Sequence, residues 1–417
     1  MPARRIGVVA GALLLLVVAG CASAPAETAQ QLRPPAVPAG GIAPATKFTP
    51  LSATTVTTPA PVLGTDGKTH VTYELLLTDV TPAPFTLRKI DVLADQEVVL
   101  SLSGPELAAQ SNLLAAQTGD EGVGDPTASA ASIPAGGTAV VWLDVLFDRA
   151  GSTSVPTALT HRVSGSIGGG PATEVDTGSV PVSAAVAPVL GPPLQGGPWY
   201  ASDGCCVDDT HHRRGLAPIN GRLLVPQRYA IDWYLLDDQH RAWVDDPSKI
   251  TNFLAFDRPA LAVADGVVVD ATDGFSDTTS LPQPPPIPPI VETVGNHVTL
   301  MIAPGVYVMY AHFKKDSVAV KTGQQVKKGD VLGHIGSSGN STAPHLHFQV
   351  NTEPTFFPTD STPFAFECLR VDGQVTERIW DDVLAEQPTP ELPYTASTDT
   401  SERRGQMPLD RNVVTFC

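Results

Sequence analysis

The segment Ala343-Pro-His-Leu-His-Phe-Gln-Val350 contains the pattern that decides how this chain folds. Side chains at positions i and i+2 of a β-strand point to the same face, so His345 and His347 project side by side while Leu346 and Phe348 face a core. Two imidazoles on one face can hold a metal ion together, or one can bind it while the other transfers a proton. The segment therefore predicts a buried strand that carries a functional site.

Two segments upstream supply further candidate groups for the same site. Tyr310-Ala-His-Phe313 follows an apolar strand and contributes His312. Arg228-Tyr-Ala-Ile-Asp-Trp233 places Asp232 in an otherwise apolar strand, where a carboxylate is costly to bury unless it is paired or bound to a metal. We therefore expect His312 and Asp232 to lie beside the two histidines of the first segment.

Glycine-containing and histidine-containing segments extend this pattern over residues 198–370. In chain order they are Pro259-Ala-Leu-Ala-Val-Ala-Asp-Gly266, Gly295-Asn-His-Val298, Tyr310-Ala-His312, Val326-Lys-Lys-Gly-Asp-Val-Leu-Gly333 and Gly336-Ser-Ser-Gly-Asn-Ser-Thr-Ala-Pro-His-Leu-His347. In this order and spacing they resemble the lysostaphin/LytM-type zinc endopeptidases of bacterial cell walls. The resemblance implies a compact antiparallel β-sheet core with a groove across one face.

The resemblance also implies roles for the site residues. Asp232 and His347 would be ligands of one Zn²⁺ that keeps an open position for water, as a catalytic zinc requires. His345 and His312 would act as general base and as transition-state stabiliser. The implied function is that of a cell-envelope zinc metalloendopeptidase that hydrolyses the peptide cross-links of peptidoglycan.

One position departs from the family pattern. Four residues before Asp232, where the family has its first ligand histidine, this chain has Arg228. A guanidinium stays protonated and offers a metal no lone pair. Strand alternation would place Arg228 in the same pocket as Asp232, where its charge could replace that of the zinc. The chain would then be a catalytically degenerate relative that binds cell-wall peptide or regulates a partner hydrolase.

The second explanation is that the missing ligand comes from elsewhere in the chain. His211 and His212 lie just beyond the cysteine pair Cys205-Cys206 and upstream of Asp232. Either histidine could enter the groove as the third ligand. Because the other site residues are all present, we favour the active zinc enzyme over the degenerate relative.

The first half of the chain is predicted to form a separate β domain. Residues 51–187 contain short runs of alternating apolar and polar residues that predict an immunoglobulin-like β-sandwich, with the apolar run Thr138–Phe147 as a central strand. His70 and His161 are isolated in the sequence and indicate structural or surface roles. We interpret the sandwich as a spacer or as a surface for a protein partner.

The remaining segments surround a second domain, predicted over residues 195–375. The Pro-rich insert 271–293 lies between two predicted core strands and should loop out of the fold. Residues 376–417 are predicted to pack as a C-terminal arm held at Cys417. The whole chain is therefore expected to be mainly β.

The N-terminus predicts the compartment. Residues 1–20 combine two arginines with the apolar run Ile6–Ala19 and end in small residues before Cys21, a pattern that resembles a bacterial lipoprotein signal peptide. Lipidation of Cys21 would anchor the chain to a membrane through a flexible tether, residues 21–50. The expected location is the extracytoplasmic face of the cell envelope.

Four further cysteines remain in such an exported chain: Cys205, Cys206, Cys368 and Cys417. An even number predicts two disulfides, and we expect Cys205 and Cys206 each to bond to a distant cysteine. A metal site on the adjacent pair is the alternative.

Charge and composition exclude one class of partner. The 417 residues contain 26 Lys and Arg against 43 Asp and Glu, a formal net charge of −17, which argues against nucleic-acid binding. Peptide stems of peptidoglycan and, through Cys21, a membrane are the expected partners.

Overall fold

The computed structural model describes residues 47–114, 131–148, 155–206, 210–277, 292–376 and 391–417. The predicted signal peptide, Cys21 and the polyproline stretch Pro282–Pro289 lie outside these ranges. Residues Thr49–Cys417 form one compact unit. With 49% strand and 5% helix, the fold confirms the mainly-β prediction. Within the described ranges, no helix has the length and apolarity that crossing a bilayer requires.

Two antiparallel sheets make up the N-terminal β region, the name used here for residues 51–181. Its elements are β1 (Leu51–Thr55), β2 (Ala60–Leu63), β3 (Lys68–Asp79), β4 (Phe85–Ala94), β5 (Glu97–Ser103), α1 (Gly104–Ala109), β6 (Ser111–Leu113), β7 (Ser132–Ile133), β8 (Thr138–Asp148), β9 (Ala158–Ile167), β10 (Ala172–Asp176) and β11 (Val180–Pro181). One sheet has the order β1-β3-β8-β6, with β2 beside β3, and the other has β10-β9-β4-β5, with β7 and β11 at its margins. The predicted central strand is confirmed, because β8 lies between β3 and β6.

Both sheets contribute side chains to one hydrophobic core. Val71 and Val141 from the first sheet and Ile90 and Val163 from the second are completely buried in it. Burying a side chain of this size stabilises a fold by roughly 1.5–3 kcal/mol relative to leaving it exposed. The specific immunoglobulin-like topology stays a prediction.

An eleven-stranded antiparallel sheet organises the rest of the chain. The elements are β12 (Val189–Leu190), β13 (Trp199–Ser202), α2 (His211–Arg214), β14 (Ala217–Ile219), β15 (Arg222–Leu224), β16 (Ile231–Leu235), a 3₁₀ helix (Ile250–Asn252), β17 (Pro259–Leu261), β18 (Gly266–Thr272), β19 (Asn296–Ala303), β20 (Val306–Phe313), β21 (Gln325–Val326), β22 (Val331–His334), β23 (Leu346–Asn351), β24 (Ala365–Phe366), β25 (Leu369–Val375), β26 (Tyr394–Ala396), β27 (Glu402–Arg403) and β28 (Asn412–Phe416). The sheet order is β21-β18-β19-β20-β23-β16-β13-β28-β25-β26, with β27 also on β25.

Strand register brings the predicted site residues together. Asp232 on β16 is opposite His347 on β23, and Ala311 on β20 is opposite His347 on the other side. Trp233 and Phe348, which alternate with these residues, are completely buried in the core behind the sheet. The alternation expected from the sequence is therefore present in both strands.

The C-terminal segment enters the sheet instead of packing as an arm. Strand β28 lies between β13 and β25, and its residue Phe416 is opposite Leu369. This register places Cys417 beside Cys368, and the two form a disulfide.

The expectation that Cys205 and Cys206 bond to distant cysteines is wrong. The two residues form a disulfide with each other. The reason is that neighbouring strands already bring Cys368 and Cys417 together, which leaves the adjacent pair as its own partner.

The fold gives His70 two acidic partners, Asp66 from the preceding turn and Asp144 from the neighbouring strand β8. Its Nδ1 lies 2.8 Å from Asp144 Oδ2 on β8, and its Nε2 lies 3.3 Å from Asp66 Oδ1. Burial alone would lower the pKa of His70, but these two carboxylates raise it to about 9. The group therefore stabilises the fold fully below the unfolded-state pKa of about 6.5, and this contribution is lost as the pH rises through about 9.

We expect the free energy of unfolding of the wild type to fall by roughly 3 kcal/mol between pH 6 and pH 10 through this residue, at about 1.4 kcal/mol per pKa unit. The variant His70→Gln should lack this component. Urea unfolding at both pH values measures it. Equal pH dependence in wild type and variant would contradict the assignment.

Candidate functional site

The carboxylate of Asp232 is the centre of a buried cluster of imidazoles. Its Oδ1 lies 2.8 Å from His347 Nδ1, and its Oδ2 lies 3.4 Å from His345 Nε2 and 3.6 Å from His212 Nε2. Burial would raise the pKa of Asp232, but the three histidines hold it well below its ordinary value. Asp232 is therefore ionised at neutral pH.

Hydrogen bonds engage both ring nitrogens of His347. Gln349 donates through Nε2 to the carbonyl of Pro226 and to Asn351 Oδ1, so its Oε1 is an acceptor. His347 Nε2 lies 2.8 Å from that oxygen and must donate to it. Nδ1 of His347 is hydrogen-bonded to Asp232 Oδ1 at 2.8 Å.

His345 and His312 are oriented in a similar way by backbone carbonyls. His345 Nδ1 donates to the carbonyl of Ala343 at 2.7 Å, and His312 Nδ1 donates to that of Ser338 at 2.8 Å. Burial lowers the pKa of both rings, so both are neutral at pH 7. Each neutral ring therefore keeps an unprotonated Nε2, and the His345 Nε2 faces Asp232.

His212 reaches the cluster from helix α2. Its Nδ1 donates to the carbonyl of Asp203 at 3.0 Å. Its Nε2 is buried and has no hydrogen-bond partner within the described ranges. Burial lowers the pKa of His212 to about 3, so this nitrogen presents a lone pair to Asp232.

His211 lies next to His212 but in a different environment. Its side chain is 50% exposed, and its Nδ1 lies 3.3 Å from Asp203 Oδ1. Burial would raise the pKa of Asp203, but the charge of His211 lowers it to about 2. Ligand atoms of His211, His212 and Asp232 all lie within 4.8 Å of one another. His212 is the buried member of the histidine pair, and His211 is the exposed one.

The donor set fits a metal cation. Ring nitrogens of His212, His345 and His347 converge on the ionised carboxylate of Asp232, and a bound cation would interact favourably with all of these groups. Imidazole and carboxylate donors are ligands that Zn²⁺ accepts. The bonds that hold the outer nitrogens of these rings to carbonyl and amide oxygens are typical of metal-binding histidines.

Arg228 does not lie in this pocket, which corrects the expectation from strand alternation. Residues 226–229 form a turn before β16, so the alternating pattern does not extend back to Arg228. Its guanidinium binds Glu74 instead, with Nε 2.9 Å from Oε1 and one terminal nitrogen 2.6 Å from Oε2. Asp232 is therefore not neutralised by Arg228.

A cavity of about 370 Å³ lies beside the cluster. Val294, Met309 and Phe356 give it apolar walls, and His297 adds a polar group. The ring of Phe356 packs against His347, with centroids 5.5 Å apart. An extended peptide could therefore contact both this cavity and the imidazole cluster.

Two residues of the site were missed by the sequence analysis, Gln349 and Glu74. Gln349 follows His347 by two positions and shares its strand face, so the alternation that identified the histidines also pointed to it. Glu74 is a lone carboxylate inside the apolar strand β3, the same signal that identified Asp232.

Residues 251–357 of the chain match the family described as Peptidase family M23. The matched range contains His312, His345 and His347 and begins after His212 and Asp232.

Similar proteins include a glycyl-glycine endopeptidase, ALE-1, of Staphylococcus capitis, which is 34% identical over 115 residues, 27% of this chain and 27% of that protein. Lysostaphin of Staphylococcus simulans is 35% identical over 115 residues, 27% of this chain and 20% of that protein. The chain thus spans about a quarter of the length of these relatives. The solved catalytic domain of lysostaphin from Staphylococcus simulans shows 25% identity and a TM-score of 0.21, over 35% of this chain and 80% of that one.

Proposed function

Since this chain contains a lysostaphin-type M23 peptidase domain, as the resemblance predicts, we propose that it is a zinc endopeptidase that hydrolyses peptide cross-links of peptidoglycan. Its metal ligands would be Asp232, His347 and His212, with His212 in place of the histidine that Arg228 displaces. The observation that carries the proposal is the buried Nε2 of His212, which faces Asp232 Oδ2 at 3.6 Å and has no hydrogen-bond partner among the residues that the structure describes.

Each residue of the cluster has a chemical task in this proposal. When bound, the zinc ion supplies Lewis acidity and a nucleophilic water at neutral pH. His345 accepts a proton at Nε2, because its Nδ1–H is committed to the carbonyl of Ala343. His312, held by Ser338, contributes its own Nε2 to binding the reacting groups. The apolar cavity beside His347 would receive part of the peptide.

The degenerate alternative loses its main support. It needs Arg228 to supply the positive charge of the missing metal, whereas Arg228 is engaged with Glu74. The proposed location is the extracytoplasmic cell envelope, with a membrane anchor at Cys21.

Replacing His345 or His312 by alanine should leave the zinc content at about one per chain, because neither is a proposed ligand. The rate of peptidoglycan hydrolysis should fall by roughly 10²–10⁴-fold, the usual effect of losing an acid–base group. Zinc analysis and release of soluble fragments from purified peptidoglycan measure the two quantities. His334→Ala is the matched control, because His334 binds Asp257 outside the cluster. This variant should retain both its zinc content and its rate of hydrolysis. Full activity of His345→Ala would refute the assigned role.

A further inference from the structure

Helix α2, which carries His212, is docked on the N-terminal β region through the two arginines that follow this histidine. Arg213 donates to the carbonyls of Tyr73 at 3.0 Å and of Leu143 at 3.2 Å. Arg214 donates to Asn112 Oδ1 at 2.6 Å. Both guanidinium groups also lie over the ring of Trp142, each 5.0 Å from its centroid. The position of α2 is thus set largely by residues outside the peptidase domain.

Glu74 is the charged centre of this contact. Its carboxylate is completely buried and binds the guanidinium groups of both Arg213 and Arg228. Burial would raise the pKa of Glu74, but Arg228 and Arg213 hold it below its ordinary value, so it is ionised. A buried carboxylate with two charged partners fixes the geometry of both, because any displacement leaves a charge unpaired.

The two arginines belong to the two segments that carry proposed ligands. Arg213 is adjacent to His212, and Arg228 lies in the turn that leads into the strand of Asp232. Helix α2 has four residues, too few to be stable by its own hydrogen bonds. At its N-terminus, the Thr210 side chain accepts a hydrogen bond from the backbone nitrogen of Arg213 at 3.0 Å. The helix therefore needs external contacts to hold its histidine in place.

We propose that Glu74 is a positioning residue that reaches from the N-terminal β region and fixes His212 against Asp232, so that the metal site is complete only with this region in place. The proposal rests on the proposed function, because it concerns the ligand role of His212. The N-terminal β region would then support the metal site and would not serve only as a spacer.

The test compares the zinc affinity of metal-free, full-length protein variants, together with the visible spectrum of the Co²⁺-loaded forms. Glu74→Gln should weaken zinc binding by roughly 10–100-fold, the effect of losing support around a ligand, and should change the Co²⁺ spectrum. Hydrogen–deuterium exchange of residues 210–216 should become faster even without metal. Arg214→Ala, at a partly exposed residue, should show the same changes with smaller amplitude and provides the test if Glu74→Gln does not fold.

Two controls separate positioning from general destabilisation. Glu97→Gln removes an exposed carboxylate from the same region and should change nothing. Leu77→Ala opens the core of the region and lowers its stability, yet it should leave zinc affinity and the Co²⁺ spectrum of the folded protein unchanged. Equal loss of affinity in Leu77→Ala and Glu74→Gln would overturn the positioning role.

The remaining outcomes distinguish this inference from the proposed function. If the wild type binds zinc and His212→Ala does not, while Glu74→Gln and Arg214→Ala both bind it as the wild type does, the positioning role is overturned and the enzyme proposal stands. If the wild type binds no zinc, the proposed function falls and the inference falls with it.

Discussion

Replacement of His212 by alanine is expected to abolish stoichiometric zinc binding and to reduce peptidoglycan hydrolysis below detection. The variant removes a neutral imidazole whose Nε2 faces Asp232, and three protein ligands are the usual minimum for a catalytic zinc. Elemental analysis of purified protein and a peptidoglycan digestion assay measure the two effects. Asp232→Ala and His347→Ala should behave in the same way.

His211→Ala is the matched control for this prediction. His211 is the sequence neighbour of His212, but it is half exposed and lies against Asp203. The variant should therefore keep its zinc and most of its activity. Loss of zinc in His211→Ala, with retention in His212→Ala, would reverse the assignment of the third ligand.

Replacement of Arg228 by methionine is expected to lower the free energy of unfolding by roughly 3–5 kcal/mol, because it removes one of the two guanidinium groups that pair with the buried carboxylate of Glu74. Both Arg228 and Glu74 are almost completely shielded from solvent. Urea unfolding measures the change, and Arg222→Met, at an exposed arginine on β15, should differ little from wild type. A change below about 1 kcal/mol in Arg228→Met would show that the pair is not a buried one.

The same position tests the alternative interpretation of the sequence, a degenerate relative in which Arg228 replaces the metal. If Arg228 stood in for the metal, Arg228→His would restore a ligand and increase zinc affinity. In the structure, position 228 lies in a turn that faces Glu74, so a histidine there would not reach Asp232. We therefore expect Arg228→His to be destabilised and to gain no zinc affinity.

Local alternation predicted the parts of the site that lie inside strands. His345, which immediately precedes β23, and His347 within it are two residues apart and both face Asp232, which the register of β16 against β23 places opposite His347. Alternation failed at Arg228 because the strand begins only at Ile231. A pattern of period two has meaning only where the backbone is extended, and the sequence alone did not locate that boundary.

Long-range pairings were beyond what single-sequence patterns could predict. Glu74 and Arg228 are brought together by packing between distant parts of the chain. The residues that flank each of them in the sequence do not indicate the partner. The disulfides show the same limit: Cys368 and Cys417 meet because β25 and β28 are neighbours in the sheet. The choice between His211 and His212 depended on which side chain is buried. Two identical residues next to each other in the sequence give no indication of this difference.

The position of β28 has a consequence for the order of events during folding. Trp199 and Tyr200 of β13 pair on one side with Leu235 and Tyr234 of β16, and on the other with Val414 and Val413 of β28. An edge of β13 therefore stays open until residues 412–416 are available, although β20 and β23, which carry His312 and His347, precede them in the chain. Pairings between such distant segments form slowly, because the loop-closure entropy must be overcome first. The sheet is thus completed late, and its open edge would need protection from other chains until then.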